Sequence, residues 1–311
     1  MTASPLGVVV EIAEDGRYLS KERGFLIVQS RGVECGRLPL DDITAVIATA
    51  PGTIASCALL AELAGRGIPF VLCGRNYLPA ALLWPVAGHH AQQRRMEMQT
   101  LASRPLMKRL WAALVAAKIL RQGTVLAASG QPAGAFNRLA RLVRAGDPDN
   151  LEAQAARRYW PLLMGEGFRR DPDAEGPNAM LNYGYAVLRA GAARAIVAAG
   201  LHPGLGIFHR HPQDAMPLAD DLMEPFRPEV DVIVRTLMRE GHGTVDAAAK
   251  KRLAGVLRLE APTPMGMSPL STRLIRLAAN LAESFLGGAM MLDLPIPSQL
   301  AQNEQADGES T

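Results

Sequence analysis

Short apolar runs separated by turn-forming groups characterise the first ninety residues of the chain. Groups such as Glu14-Asp15-Gly16 and Ser30-Arg31-Gly32 punctuate them, a pattern that is typical of β-strands. Apolar residues from Ile54 to Leu63 instead follow helical spacing, and Gly65 or Gly67 is suited to end that helix. The pattern predicts a small sheet domain with one helix, and its strands are 7–12, 25–29, 43–47, 69–72 and 78–84.

From about residue 93 the apolar positions follow the repeat of α-helices. Asn178 and Thr244 are predicted N-caps, and Pro225 is predicted to kink a helix or to start a new one. Helices are predicted over 93–121, 137–145, 152–163, 178–199, 222–237, 244–259 and 271–286.

These patterns predict an α+β fold class. We expect an N-terminal β-rich, β-sandwich-like domain at residues 1–88 and an all-α catalytic domain at residues 89–295. Residues 296–311 are polar and contain Gly and Glu, so a disordered tail is predicted there.

Composition is typical of a folded globular protein. The 311 residues are 49% hydrophobic and 20% charged. A chain of this length is enough for two domains of ordinary size. No uncharged apolar run of about 18 residues occurs, so we expect no membrane span and a cytoplasmic location. Cys35, Cys57 and Cys73 are expected to be small buried hydrophobic residues in a reducing compartment.

Charge is distributed unevenly along the chain. Residues 91–170 carry 14 basic and 5 acidic residues, a net +9, whereas the segments before and after carry −1 and −5. Such a block suggests a polyanionic partner, although solvated helix faces would give the same count. The residues predicted to contact DNA phosphates are Arg138, Arg141 and Arg144, whose spacing places them on one helix face, together with Arg157 and Arg158.

One stretch, residues 204–231, carries three side chains that are suited to bind a metal ion. His209 follows an apolar run, and Asp221 and Glu224 stand three residues apart, so they share a face if the segment is helical. Carboxylates with an imidazole suit Mn²⁺ or Mg²⁺ better than Zn²⁺. A third carboxylate must come from elsewhere, and Glu152, which lies within the basic block, is the candidate.

Structural interpretations of the same residues remain open. Acidic residues near a helix start also interact favourably with the helix dipole, and Asp220 and Asp221 would need no other role. His211 is read as a loop residue, because zinc would require further clustered ligands. The neighbouring pair His89 and His90 is read as part of a solvated linker.

Four segments within residues 151–231 resemble the signature segments of the CRISPR-associated adaptation integrases, the Cas-one family. They are LEAQAARRYW, GPNAMLNYGYAVL, GLHPGLGIFH and LADDLMEPFRPEVD. The N-terminal segments KERGFLIVQ, LPLDDITAVI and LLAELAGRGIPFVLCG are similar to that family too. The 15 residues from His209 to Glu224 and the lean total length resemble its type II branch.

The resemblance implies a metal-dependent DNA endonuclease and integrase. Its metal ligands and catalytic residues would be Glu152, His209 and Glu224, with Asp221 an acidic position that assists, and its cofactor Mg²⁺ or Mn²⁺. It would join the 3′-OH ends of a protospacer to CRISPR repeat DNA by transesterification. Implied partners are DNA, a second copy of the chain through the β-rich domain, a Cas-two dimer in a heterohexameric complex, and other type II Cas proteins.

Two other functions are compatible with the residues alone. A non-catalytic nucleic-acid-binding scaffold would use the acidic cluster only to cap helices and would release no product. A metal-dependent phosphohydrolase acting on a small substrate would not require the arginines at 138–144.

Overall fold

The computed structural model describes residues 8–74, 79–83, 85, 89–210, 214–263, 266–292 and 294. The strands are β1 (Val8–Ile12), β2 (Arg17–Glu22), β3 (Phe25–Ser30), β4 (Val33–Pro39), β5 (Ile43–Ala48), β6 (Ile54–Ala55), β7 (Phe70–Cys73), β8 (Pro79–Leu83), β9 (Glu260–Thr263) and β10 (Gly266–Pro269). The helices are α1 (Cys57–Gly65), α2 (Gln92–Thr100), α3 (Arg104–Ala128), α4 (Gly134–Leu142), α5 (Leu151–Met164), α6 (Pro177–Ala198), α7 (Pro217–Met223), α8 (Arg227–Arg239), α9 (Ala247–Ala254) and α10 (Leu270–Gly287).

Within the described residues, the N-terminal strands form two four-stranded sheets. One has the order β1-β5-β7-β8, with β1, β5 and β7 parallel and β8 antiparallel to β7. The other has the order β4-β3-β2-β6. Leu19 and Leu26 of the second sheet pack with Val10 and Val46 of the first and with Leu59 of α1. The expected β-rich N-terminal region is therefore present, with two sheets sharing a core.

Strand β5 shows why the two regions of the chain pack together. All six of its residues are buried, as expected for a strand covered on both faces. Val46 and Ala48 face the core between the sheets, whereas Ala45 and Ile47 belong to the same apolar core as the helices. Glu11 of β1 adds polar contacts to this junction: it accepts a hydrogen bond from Tyr183 Oη at 2.8 Å and lies 3.0 Å from Lys250 Nζ.

Helix α6 lies at the centre of the helical region. It contacts α7, α8, α9 and α10, and most of its residues are buried on every side. Helix α3 is the one described helix that is long and apolar enough to cross a membrane. However, 61% of its most apolar stretch is buried within the protein. Such burial is common in core helices of soluble proteins.

The predicted order of the helices is confirmed, but their number and several ends need correction. Seven helices were predicted after residue 89 and nine are described there, because 93–121 corresponds to α2 and α3 and 222–237 to α7 and α8. The N-cap of α6 is Gly176, and Asn178 is instead a buried residue that accepts hydrogen bonds from Arg170 and from the Asp171 backbone. Asp246 rather than Thr244 caps α9. Pro225 marks a new start: α7 ends at Met223, a 3₁₀ turn spans Glu224–Phe226, and α8 begins at Arg227.

Two further predictions are wrong. The region after residue 89 is not all helical, because β9 and β10 form an antiparallel hairpin. Cys35 and Cys57 are exposed, and only Cys73 is partly buried. Cys35 lies on the edge strand β4 and Cys57 on the outer side of the first turn of α1, where packing does not require burial. The predicted disordered tail at 296–311 and His211 lie outside the described residues.

Candidate functional site

Glu152 is fixed by the turn that precedes α5. Asn150 adopts a left-handed backbone conformation and caps the helix, its side chain accepting from the Ala153 N–H. The Asp147 carboxylate accepts hydrogen bonds from the backbone N–H groups of Leu151 and Glu152 at 2.9 and 3.0 Å. The Asp147-to-Asn150 signal in the sequence therefore does form a cap, and it sets the first turn of α5 so that Glu152 points inward.

A lysine with a largely buried side chain joins Glu152 to Glu224. Lys118, in the middle of α3, places its Nζ 2.6 Å from Glu152 Oε1 and 2.5 Å from Glu224 Oε2. Glu224 is 3% exposed, and its other oxygen, Oε1, accepts from Arg227 Nε at 2.7 Å. The structure thus brings together two of the three predicted ligands.

These buried charges set one another's protonation. Burial would raise the pKa of Glu224, but the charges of Arg227 and Lys118 outweigh it and lower that pKa to about 2. Burial would lower the pKa of Lys118, but Glu224 and Glu152 more than offset this and raise it. Glu224 is therefore a carboxylate, and Lys118 an ammonium, throughout the physiological pH range.

Arg227 is itself held firmly beside Glu224. Its guanidinium lies 4.6 Å from the centre of the Tyr185 ring, and Tyr185 Oη donates a hydrogen bond of 2.5 Å to Asp231. Burial raises the pKa of Asp231 to about 7. Stacking and ion pairing together restrict Arg227 to one position.

His209 is placed by Asp221, which is completely buried in α7. Asp221 Oδ2 accepts from the backbone N–H groups of Ile207 and Phe208, and Oδ1 accepts from the His209 N–H and lies 2.7 Å from His209 Nδ1. Both oxygens of Asp221 are thus engaged by the segment that carries His209. Nε2 is left as the ring nitrogen to be offered to a ligand.

Neighbouring residues hold the same segment from its other sides. The Gln99 amide donates to the carbonyls of His202 and Leu205 and accepts from the His202 N–H, all at 2.9 Å. The Phe208 ring stacks on Trp111 of α3 at 4.3 Å, and the His209 ring meets Trp111 edge-on at 5.4 Å. The histidine is therefore oriented by a buried carboxylate, a buried amide and an indole.

The hydrogen bond to Asp221 raises the pKa of His209 more than burial lowers it, and the negative charge of Glu224 adds to the increase.

Among the described residues, no three acidic, histidine or cysteine side chains lie close enough together to hold a metal ion. The carboxylate pair already holds the Lys118 ammonium between its oxygens, and buried Glu224 Oε2 has no other partner in the described part of the chain. Two carboxylates with an adjacent imidazole suit Mg²⁺ or Mn²⁺, so these residues fit the metal by donor chemistry.

The predicted DNA-contacting arginines do not surround the carboxylates. Helix α4 ends at Leu142, so Arg144 lies beyond it and instead pairs with Asp149 at 2.8 Å; the prediction that it shares a helix face with Arg138 and Arg141 is wrong. Arg138, Arg141, Arg157 and Arg158 are exposed. On α5, the last two turn away from the buried face that carries Glu152.

A basic groove that the sequence did not reveal lies directly beside His209. It has a volume of about 230 Å³ and is lined by Arg104, Lys108, Arg210, Trp111 and Phe208 among others. The Phe208 side chain is 47% exposed at its wall. Arg104, Lys108 and Trp111 are spaced to share one face of α3, the signal from which this groove could have been predicted.

The fold and site together define an α+β protein with an acidic pair, one member of it buried, and a positioned imidazole on its helical region. The model of the family described as CRISPR associated protein Cas1 matches residues 10–261. The chain is 40% identical over 232 residues to the CRISPR-associated endonuclease Cas1 of Neisseria meningitidis serogroup C (strain 8013), covering 74% of this chain and 76% of that protein. The chain therefore belongs to the Cas1 family of CRISPR-associated proteins.

Solved structures share this fold at low sequence identity. A casposase bound to its integration product is similar with a TM-score of 0.77 at 17% identity, covering 98% of this chain and 100% of that chain. A Cas6-RT-Cas1–Cas2 complex contains a chain that is similar with a TM-score of 0.76 at 17% identity, covering 96% of this chain and 37% of that one. At such identities the likeness concerns the fold alone.

Proposed function

We propose that this Cas1-family chain is a metal-dependent DNA endonuclease and integrase that inserts new spacers into a CRISPR array. The observation that carries the proposal is the convergence of Glu152 and Glu224 on one cation position. His209, oriented by Asp221, is close enough to Glu224 for their charges to interact. The named activity of the Neisseria relative and the integration product bound to the casposase support this proposal.

Mg²⁺ or Mn²⁺, held by Glu152, His209 and Glu224, would polarise the scissile phosphate and neutralise the charge that develops on it. The chain's own residues keep that site in order. Asp221 acts on His209 as a positioning residue rather than as a ligand, since both of its oxygens are engaged. Arg227 keeps Glu224 ionised.

The proposed reaction exchanges one phosphodiester for another. The 3′-OH of the incoming DNA attacks a phosphate of the repeat, a new 3′ ester forms, and the old 3′ oxygen leaves as a hydroxyl. No external energy source is needed, because the bonds made and broken are equivalent. The groove beside His209, with Arg104, Lys108 and Arg210, is suited to hold the phosphates of a strand near this centre.

The proposed partners are protospacer and repeat DNA, a second copy of the chain, a Cas2 dimer in a heterohexameric complex, and other type II Cas proteins. The Cas1–Cas2 assembly of the similar structure supports the Cas2 partner. Assignment to the type II branch and to the cytoplasm belongs to this same proposal.

The decisive experiment is joining of a short duplex with free 3′-OH ends to a supercoiled plasmid that carries the repeat, with Cas2 and Mg²⁺ or Mn²⁺. Glu152→Gln and Glu224→Ala should abolish joining, whereas Glu166→Gln, a change at an exposed glutamate, should not. Thermal melting of each variant would separate loss of chemistry from loss of fold. Full joining by Glu224→Ala would contradict the assignment.

The same preparation distinguishes the other two functions. A non-catalytic scaffold would bind DNA in a salt-dependent way and yield no product with either metal. A hydrolase of small phosphorylated substrates would keep its activity when Lys108 and Arg104 are changed to glutamate, whereas the integrase would lose joining strongly.

A further inference from the structure

Lys118 occupies the position between the two carboxylates where a divalent cation would be expected. Its Nζ lies within 2.6 Å of one oxygen from each, and its side chain is 13% exposed. The sequence places it within the basic block, as one of many cations available to a polyanion. In the structure its side chain instead points into the protein, away from any surface on which a polyanion could bind.

The cluster is electrically balanced as it stands. Glu152 and Glu224 supply two negative charges, and Lys118 and Arg227 supply two positive charges. A divalent cation added to the same oxygens would lie a few ångströms from the ammonium, in a site from which water is largely excluded. Like charges repel strongly under those conditions. The ammonium and the metal therefore cannot both hold this carboxylate pair.

Of the two basic residues, Lys118 is the one that is able to leave. Arg227 is fixed by its bond to Glu224 Oε1 and by the Tyr185 ring. The Lys118 ammonium is a compact charge on a flexible four-carbon stem. Its contact with Glu224 Oε2 is an ion pair at 2.5 Å, and that oxygen has no other partner among the described residues. Withdrawal of the lysine would expose an oxygen ready to take a new ligand.

We propose that Lys118 is a resident competitor of the metal: its ammonium holds Glu152 and Glu224 together before the metal arrives and is displaced when the metal binds. This inference rests on the proposed function, since it takes the two glutamates to be metal ligands. Lys118 thus positions the two glutamates in the metal-free protein, and its presence there lowers the affinity of the site for the metal.

Calorimetric titration of the full chain with Mn²⁺ tests the competition. Removal of the competitor raises the fraction of molecules whose carboxylate pair is open, so Lys118→Met should bind Mn²⁺ on the order of tenfold more tightly than the wild type. The melting temperature of this variant in chelator should be lower than that of the wild type, and Mn²⁺ should raise it by a larger amount. Lys251→Met, which removes an exposed lysine of α9, should leave Mn²⁺ affinity unchanged. Unchanged or weaker binding by Lys118→Met would overturn the inference.

A second measurement uses the wild-type protein and so does not depend on the folding of a variant. Limited acylation of lysines followed by peptide mass spectrometry reports how accessible each amine is. Saturating Mn²⁺ should increase the labelling of Lys118 several-fold and leave that of Lys251 unchanged. Equal Lys118 labelling with and without saturating Mn²⁺ would overturn the inference.

Failure of the inference is distinguishable from failure of the proposed function. If Glu224→Gln binds Mn²⁺ as the wild type does, the glutamates are not the metal ligands, and both proposals fall. If Glu224→Gln loses binding while Lys118→Met binds no more tightly than the wild type, the metal site stands and only the competition is wrong.

Discussion

Asp221 shows how a residue can control a site without being a ligand. The sequence places it three residues from Glu224 and offers it as an extra ligand, but its side chain faces the His209 segment and accepts from three backbone N–H groups. Buried carboxylates need such donors, because an unpaired charge in the interior is costly. The histidine and the aspartate are thus one structural unit.

Replacing Asp221 by Asn should lower the pKa of His209 towards its ordinary value, because the main cause of the increase is the hydrogen bond to the Asp221 carboxylate. In the wild type the hydrogen bond between Asp221 and protonated His209 stabilises the folded protein. This stabilisation is fully present below the ordinary pKa of imidazole, and it is lost as the pH rises through the raised pKa of His209. Histidine must be neutral to bind a metal, so Mn²⁺ affinity should increase as pH rises through the same range.

NMR titration of the His209 ring, in the wild type and in Asp221→Asn, measures the pKa of His209 directly. Mn²⁺ titration at several pH values measures how metal affinity depends on that pKa. Asp173→Asn, at an exposed aspartate, is the matched control. A His209 pKa that is unchanged in Asp221→Asn would contradict the prediction.

Gly206 is required by the close packing of the His209 segment. A Cβ at this position would lie 2.5 Å from the His209 carbonyl oxygen and 2.9 Å from Pro217 Cβ. A backbone oxygen cannot move aside as a side chain does, so Gly206→Ala should displace His209. We expect strand joining to fall by about a hundredfold, with a loss of stability of about 1–3 kcal/mol.

Joining rates and melting temperatures of Gly206→Ala should be compared with those of Gly167→Ala, where an added Cβ meets nothing within 4 Å. Wild-type joining by Gly206→Ala would show that the position of His209 does not depend on this contact.

At the scale of elements, the sequence predicted types and order better than the direction of charged side chains. The strands β1, β3, β5 and β7 and most helices follow apolar periodicity, which reports burial locally. The three N-terminal strands that were missed, β2, β4 and β6, have few buried residues or are very short. Such strands are defined by their pairing rather than by a pattern.

The basic block illustrates the limit on charge. Lys118 and Arg121 belong to the basic block that suggested a polyanionic partner, yet Lys118 bridges two glutamates and Arg121 makes a bidentate ion pair with Glu229. Their partners lie 34 to 108 residues along the chain. The local spacing of residues contains no information about such distant partners. The net charge of a segment therefore cannot distinguish a DNA-binding surface from a set of buried ion pairs.

The contact of α6 with α8 and α9 gives a prediction about element packing. A Cβ on Gly184 would overlap Val230 Cγ1 and lie 3.0 Å from Leu253 Cδ2. Overpacking costs about 1–3 kcal/mol, which exceeds the gain of up to about 1 kcal/mol in helix propensity. Gly184→Ala should therefore lower the free energy of unfolding.

Urea titration of Gly184→Ala would be compared with Gly134→Ala, at the open start of α4 where an added Cβ meets nothing within 4 Å. The second change should be neutral or stabilising. Equal stability of the two variants would mean that the α6 interface relaxes around the extra methyl group.

On the scale of the whole molecule, part of the first sheet packs in the same apolar core as the helices, whereas a second core lies between the two sheets. Val9, Ala45, Ile47 and Val71 from the sheet pack in the same cluster as α3 and α6. Glu11 adds contacts to Tyr183 and Lys250 across the junction. Stabilising contacts of this kind couple the unfolding of the parts they join.

We therefore expect one cooperative unfolding transition, and a charge placed at the junction should weaken both regions equally. Ala45→Asp buries an unpaired carboxylate and should cost on the order of 3 kcal/mol or more. Circular dichroism reports on the whole chain. Tryptophan fluorescence weights the helical region, because two of the three tryptophans, Trp111 and Trp160, lie there. The urea midpoints from both signals should fall together. Ala58→Asp, at an exposed position of α1, should move neither appreciably. A fluorescence midpoint that stays in place while the circular dichroism becomes biphasic would show instead that the helical region folds independently of the sheets.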